Sequence, residues 1–257
     1  AVLLLWVVFG LKAALFPLYF WLPAAYANAT APVAALFAIM TKVGIYAILR
    51  MQALAFSDGP LAGLGADLLW WLALVTLALA AIGALAARRL GALVAYLVVM
   101  SVGSLVAALS VGAPQTVGPA LYYLIHSTLI CAALFLLCDL LRRSRGDSED
   151  RLESGPPLAH GNWLGAAFFA AAVAVIGLPP LSGFVGKVSL LQAVPSAPYW
   201  ALLLLAGLAG LVGLSRAGST LFWRVHGDVV GKKLGKRRII PMLALLLASP
   251  LLTVAAE

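Results

Sequence analysis

APVAALFAIMTKVGIYAILRMQAL, residues 31–54, is an apolar run with one lysine, Lys42, at its centre and Arg50 near its end. As a helix it would extend about 36 Å, more than the roughly 30 Å of bilayer hydrocarbon. Lys42 would stand about 16 Å from either end, beyond the reach of a side chain that snorkels to the interface. A stretch this long and apolar belongs across a membrane, and its central charge needs a reason.

Seven further apolar runs accompany it. The predicted crossings are 1–27, 31–54, 66–87, 91–113, 117–141, 162–195, 199–224 and 239–256. At about 20 residues per crossing, eight helices use roughly 160 residues and leave little for a soluble domain. Composition agrees. Of 257 residues, 64% are hydrophobic and 10% charged, against roughly 25% charged in soluble domains. The mean hydropathy is +1.07. A water-soluble globule is excluded, and so is a disordered chain, which would be poor in apolar residues. Strands of a β-barrel would alternate polar and apolar residues, and these runs do not. The expected fold class is an all-α polytopic membrane protein, with residues 1–257 forming a single transmembrane domain.

Two of the eight segments carry helix breakers. The first contains Pro17 and Pro23. The sixth contains Gly177-Leu178-Pro179-Pro180, then Gly183 and Gly186. Proline removes a backbone donor and clashes with the preceding turn, so both segments are predicted to be broken helices. In transporters such breaks expose backbone groups to a polar cavity; an ordinary proline kink is the competing reading for each. The chain opens at Ala1 inside an apolar run, without Met or a basic leader. Val2–Phe16 would span only about 22 Å. The expectation is a later part of a longer protein.

The net charge of +8 is read as topology. Arg88 and Arg89, then Arg142, Arg143, Arg145 and Arg151, then Arg224, Lys232, Lys233, Lys236, Arg237 and Arg238 fall on the side reached after odd-numbered segments. Arg50 stands alone near the other side. By the positive-inside rule the basic side is cytoplasmic and Glu257 is periplasmic or extracellular. The 232–238 run could also attract anionic lipid of the bilayer. No nucleic-acid partner is expected, since no folded domain or aromatic platform accompanies the basic residues. His160 and His226 lie in these loops as solvated side chains, and Asp139 reads as a boundary residue.

The remaining polar groups are the informative ones. Lys12, Lys42 and Lys187 sit inside apolar runs, and each costs about 2.5–3.5 kcal/mol at a helix centre. His126 is mid-helix, with Tyr122 and Tyr123 on its face at i−4 and i−3. Amines and imidazoles exchange protons, and desolvation eases the loss of a proton from an amine. Intramembrane carboxylates, the usual oxygen ligands of a cation cage, are few. The set suggests a proton path; packing roles and bonds to backbone carbonyls remain the bland readings.

No metal site or cofactor is expected, and no enzyme active site: there is no phosphate-binding loop, CxxC motif or dinucleotide fingerprint. Cys131 and Cys138 would be about 10.5 Å apart along one helix, too far for a disulfide. Gly207, Gly210, Gly213 and Gly218 read as helix-packing residues.

The run Gly10-Leu-Lys12-Ala-Ala-Leu-Phe-Pro17-Leu-Tyr-Phe-Trp21-Leu-Pro23, continued by Ala31-Pro32-Val33 and Thr41-Lys42-Val-Gly44-Ile-Tyr46, resembles the proton-conducting antiporter-like membrane subunits. These occur in respiratory complex I and in the multisubunit monovalent cation/proton antiporters. Gly177-Leu-Pro179-Pro180-Leu-Ser182-Gly183-Phe-Val-Gly186-Lys187 is similar to the family's second broken-helix motif, most of all in the D-type branch of the antiporters. Complex I relatives often place a histidine before the glycine of the Gly103 region. Here the residues are Met100-Ser101-Val102-Gly103, which leaves open whether that helix supplies a titrating group.

The resemblance implies a fourteen-helix fold with two inverted five-helix repeats. Residues 1–54 would end the first repeat, 66–224 form the second, and 239–257 the closing helix. It implies that Lys12 is the central lysine of the first broken helix, paired in the family with a glutamate on an earlier helix absent from this chain. Lys42 would be the linking lysine, His126 the relay histidine and Lys187 the terminal residue, with Lys12 and Lys187 as repeat mates. The implied function is proton translocation coupled to Na+ or K+ efflux, alongside other membrane subunits, in a bacterial inner membrane. The alternative is a proton-pumping subunit of a complex I type enzyme.

Overall fold

The computed structural model describes residues 2–55, 65–158, 160–226 and 236–254. Lys232, Lys233 and Glu257 of the topology argument lie outside the described residues. Among those described there are ten α-helices and no strand: α1 Val2–Ala13, α2 Trp21–Asn28, α3 Ala31–Ala55, α4 Ala66–Ala86, α5 Leu90–Ser110, α6 Pro114–Arg145, α7 Gly161–Ile176, α8 Ser182–Ala193, α9 Ala197–Gly218 and α10 Lys236–Val254. A π-helical turn, Ser219–Trp223, extends α9.

Six of these helices are long and apolar enough to span a membrane. The other four form two broken crossings, α1 with α2 and α7 with α8. At 12 residues, α1 is about 18 Å long and does not cross alone. The eight segments of the sequence reading thus map onto ten helices, with the two breaks where proline was expected.

The breaks are narrower than the sequence suggested. Pro17 lies between α1 and α2, and Pro179 and Pro180 lie between α7 and α8. Pro23 interrupts nothing. It is the third residue of α2, in a first turn whose N–H groups have no helical partner to lose. Gly183 and Gly186 likewise sit inside α8. Each first half ends in a left-handed residue, Ala14 at φ 62° and Gly177 at φ 83°, which turns the chain off the helix axis. The freed backbone is satisfied locally. The Phe16 N–H donates to Thr76 Oγ1 at 2.8 Å, and that hydroxyl donates to the Leu72 carbonyl at 2.6 Å.

Helix α5 is the centre of the bundle, buried along its whole length and packed by α2, α3, α4, α6 and α9. It is apolar nearly all round, as a helix enclosed on all sides must be. Its serines return their hydroxyls to the backbone, Ser104 to the Ser101 carbonyl at 3.0 Å and Ser110 to the Ala107 carbonyl at 2.8 Å. Helix α6 is 32 residues long and packs against α3, α5, α7, α8 and α10. The site is therefore built where α5 and α6 meet α3, α9 and the second broken crossing.

The described basic loops gather at one end of the bundle, as their charge pattern required. Arg89 contacts Glu149 at 2.5 Å and Asp150 at 3.0 Å, Arg238 contacts Asp139 at 3.7 Å, and the His226 N–H donates to the Gly155 carbonyl at 2.9 Å. His160 and His226 are exposed. The 146–153 segment is fixed to the bundle, however. Asp150 is fully buried, accepts the Gly91 N–H at 2.9 Å and an Arg142 Nη2–H at 3.0 Å, and takes the Leu90 N–H on its own carbonyl at 2.8 Å. It closes the N-terminus of α5, where orphan donors and the helix dipole favour a carboxylate. The same Arg142 nitrogen reaches the Ala27 carbonyl at 2.6 Å, so one guanidinium ties the end of α2 to this loop.

Candidate functional site

Lys42 lies buried on α3, with 3% of its surface exposed. Its ammonium donates to Ser101 Oγ on α5, and Ser101 in turn donates to the Val98 carbonyl at 2.7 Å. Snorkelling is therefore not its solution; a hydroxyl is. Ser101 holds the position where sequence left a titrating group in doubt. It supplies a hydroxyl, which can accept and donate at once.

Ser101, His126 and Lys187 line one small cavity at the meeting of α5, α6, α8 and α9, together with Cys131 and Gly207. Its volume of about 20 Å³ exceeds the roughly 10–15 Å³ that one water needs, and its walls offer the polar partners a water requires. Gly207 departs from the expected packing role. The nearest group to a side chain there is Lys187 Nζ at 3.8 Å, whereas Gly210, Gly213 and Gly218 do face packed side chains at 3.0–3.3 Å. The cysteines are free and buried, as their spacing required.

His126 is buried on α6. Its Nδ1 meets Ser182 Oγ at 2.8 Å, and its ring stacks against Tyr123 at a centroid distance of 6.0 Å. Nε2 is buried without a hydrogen bond of good geometry, beside the Ala174 carbonyl. Tyr122, expected on the same face, turns instead to α10, where its hydroxyl donates to the Leu252 carbonyl at 3.3 Å.

Lys187 is partly buried on α8. Its ammonium reaches back across the break to the Ile176 carbonyl, the last residue of α7. That is the negative end of a half-helix, where a cation is favoured. Lys12 lies in the last turn of α1, also at the end of a half-helix before a break. The two are not matched in chain order, since Lys12 precedes its break and Lys187 follows. Lys187 reaches the corresponding helix end through its long side chain. Lys12 is exposed on the described surface and has no hydrogen bond or ion pair among the described residues. The structure thus joins His126 and Lys187 around one cavity, connects Lys42 to it through Ser101, and leaves Lys12 apart from it.

Three site residues escaped the sequence reading: Ser101 as a partner, Ser182, and Ser249 on α10, whose Oγ lies 2.7 Å from that of Ser182. The available signal was weak. Each is a small hydroxyl inside an apolar run, a residue that more often bonds its own helix backbone.

The tightness of the site gives a direct prediction. A β-carbon at Gly183 would stand 2.0 Å from the Ala174 carbonyl oxygen and 2.8 Å from His126 Nε2. Gly183→Ala must push α8 from α7, and we expect loss of at least 1–3 kcal/mol, the usual range for overpacking. A fall in melting temperature of the purified protein checks this; an unchanged value would contradict the close α7–α8 contact.

Eight apolar crossings, two of them discontinuous, with lysine and histidine side chains gathered around a buried cavity, define a class: multi-pass helical membrane proteins that carry ionisable groups at helix breaks. The chain belongs to the NADH:quinone oxidoreductase/Mrp antiporter transmembrane family, whose model matches residues 1–213. It is 37% identical over 255 residues to a probable K(+)/H(+) antiporter D-type subunit of Rhizobium meliloti, covering 86% of this chain and 47% of that protein. It is 34% identical over 258 residues to the Na(+)/H(+) antiporter D-type subunit of Alkalihalophilus pseudofirmus, covering 98% of this chain and 52% of the relative. The chain spans about half the length of the curated relatives it matches. In fold it is similar to a chain of the Mrp complex from Dietzia sp., with a TM-score of 0.85 at 23% identity, covering 99% of this chain and 56% of that one. A chain of respiratory complex I from Thermus thermophilus gives a TM-score of 0.84 at 28% identity, covering 98% and 54%.

Proposed function

We propose that this chain is the proton-translocating part of a subunit in a multisubunit monovalent cation/proton antiporter. Protons pass among Lys42, His126 and Lys187, with Lys12 as the entry from the first repeat, coupled to Na+ or K+ movement elsewhere in the complex. The observation that carries this reading is the shared cavity. Lys42 is hydrogen-bonded to Ser101, and Ser101 lines the same space as His126 and Lys187. The cavity has room for one water between amine, hydroxyl and imidazole, groups that can each gain and lose a proton. Lys12 requires an acidic counter-charge from the other half of the subunit. No cofactor takes part, and the partners are other membrane subunits and the lipid bilayer.

In this reading the arginine-rich loops face the bacterial cytoplasm and the C-terminus faces the periplasm, by the positive-inside rule. Residues 1–54 close the first inverted repeat, 66–224 form the second and 239–257 the closing helix.

The test is Lys187→Ala in the assembled complex, with dissipation of a pH gradient in vesicles followed on adding Na+ or K+. Transport is expected to fall by on the order of 10²-fold, the scale for loss of a proton-transfer group. Unchanged transport at normal assembly would sink the proposal. The complex I type reading is favoured by the Thermus thermophilus neighbour. Neighbouring genes for flavin and iron–sulfur subunits would support it in place of small antiporter subunits.

A further inference from the structure

His126 is held between two polar surroundings. One is the cavity shared with Ser101 and Lys187. The other is a pair of buried hydroxyls: Nδ1 lies 2.8 Å from Ser182 Oγ, and Ser182 Oγ lies 2.7 Å from Ser249 Oγ. Both serines are almost wholly buried, at 0% and 2% exposure. A serine in an apolar helix ordinarily returns its hydroxyl to its own backbone, as Ser101, Ser104, Ser110, Ser127 and Ser144 do here. Ser182 and Ser249 do not. They bond across three helices, α6, α8 and α10, and lead away from the cavity.

Where they lead is set by α10. That helix runs from the arginine-rich end of the bundle to the opposite one, and Ser249 is five residues from its end at Val254, about 8 Å by helical rise. Pro250 follows it inside the helix and removes the N–H that would bond the Leu246 carbonyl, leaving a polar carbonyl at this depth. One turn further on, Thr253 Oγ1 donates to the Ser249 carbonyl at 3.3 Å, and the Tyr122 hydroxyl reaches the Leu252 carbonyl at 3.3 Å. Thr253 and Tyr122 are partly exposed. Polar groups therefore continue from His126 to the face opposite the basic loops.

We infer that Ser182 and Ser249 form a proton-conducting branch from His126 to that face, by way of the closing helix. It rests on the proton-translocation reading above and lies in series with it: Lys187 feeds the cavity it shares with His126, and the two serines carry the proton out. A proton taken up at Nε2 on one side of the ring is matched by release from Nδ1 to Ser182 Oγ on the other. Ser182 passes its own proton to Ser249 Oγ, which passes one to the water or hydroxyl beyond. Each hydroxyl gives one proton and receives one; before the next passage both rotate back, and the imidazole, left with its proton on Nε2, turns over so that its protonated nitrogen again faces Ser182.

The experiment compares Ser249→Ala, Ser249→Thr and Lys187→Ala in the assembled complex, with pH-gradient dissipation in vesicles and complex abundance measured together. Ser249→Ala is expected to slow transport about tenfold at normal abundance and to lower its solvent deuterium isotope effect. Ser249→Thr, which keeps the hydroxyl, should retain both. If Ser249→Ala transports like the parent while Lys187→Ala does not, the branch is refuted and the main pathway stands. If the Ala and Thr variants are equally slow, Ser249 serves packing and the branch is again refuted. If Lys187→Ala is itself without effect, the underlying reading fails.

Discussion

Lys42→Met in the assembled complex is expected to abolish cation-dependent proton transport while leaving the protein as stable as before, or more so. The two effects have opposite signs because they have different causes. A lysine at a helix centre opposes folding by about 2.5–3.5 kcal/mol, which methionine of similar length removes. The Ser101 hydroxyl that receives the ammonium keeps its bond to the Val98 carbonyl, so no buried donor is orphaned. Transport loses the group that connects α3 to the cavity, at a scale on the order of 10²-fold. Thermal denaturation of the purified complex and pH-gradient dissipation in vesicles read the two separately. A variant that is less stable, or that transports normally, would show that Lys42 is a packing residue bonded to a hydroxyl.

Asp150→Ala is expected to do the reverse, damaging assembly without touching the cavity. Removing one member of a buried ion pair costs about 3–5 kcal/mol. The lower figure applies, because the Arg89 and Arg142 side chains keep 36% and 22% exposure and can recover some hydration. The pH dependence has a definite sign. Burial pushes the Asp150 carboxyl up, but hydrogen bonds from Arg142 and the Gly91 amide, with the charges of Arg142 and Arg89, outweigh it and hold the group below its usual value. A carboxyl depressed in the folded state adds stability that is fully present above its unfolded pKa of about 3.9 and is lost as pH falls through the folded one. The parent should therefore weaken steeply in acid below about pH 4, and Asp150→Asn should flatten that slope. Melting temperature followed against pH checks both statements.

These two residues also show what could be read in advance. Lys42 was conspicuous in the sequence, because a charge far from both ends of an apolar run violates a one-dimensional rule. Asp150 was not. It sits among other charges in a polar loop, and nothing local distinguishes a buried helix-capping carboxylate from a solvated one. Pro17 and Pro179-Pro180 announced the two breaks, yet Pro23 looked identical and breaks nothing. The effect of proline depends on whether its missing N–H falls in a first turn or an interior one.

The sequence by itself determined the membrane class, the number of crossings, the two discontinuous segments and the end of the bundle where the described basic loops gather. All follow from run length, proline chemistry and charge order, which are properties of neighbouring residues. Tertiary structure alone decided which polar groups meet. Lys42 and Ser101 are 59 residues apart, His126 and Ser182 56, and Ser182 and Ser249 67. Each helix is apolar nearly all round, so its pattern does not say which face turns inward. In hydrocarbon that choice is left to close packing and to the need of each buried polar group for a partner. The absence of a side chain at Gly183 and Gly207, invisible as function in the sequence, is what lets α8 close on α7 and leaves room beside Lys187 for the cavity.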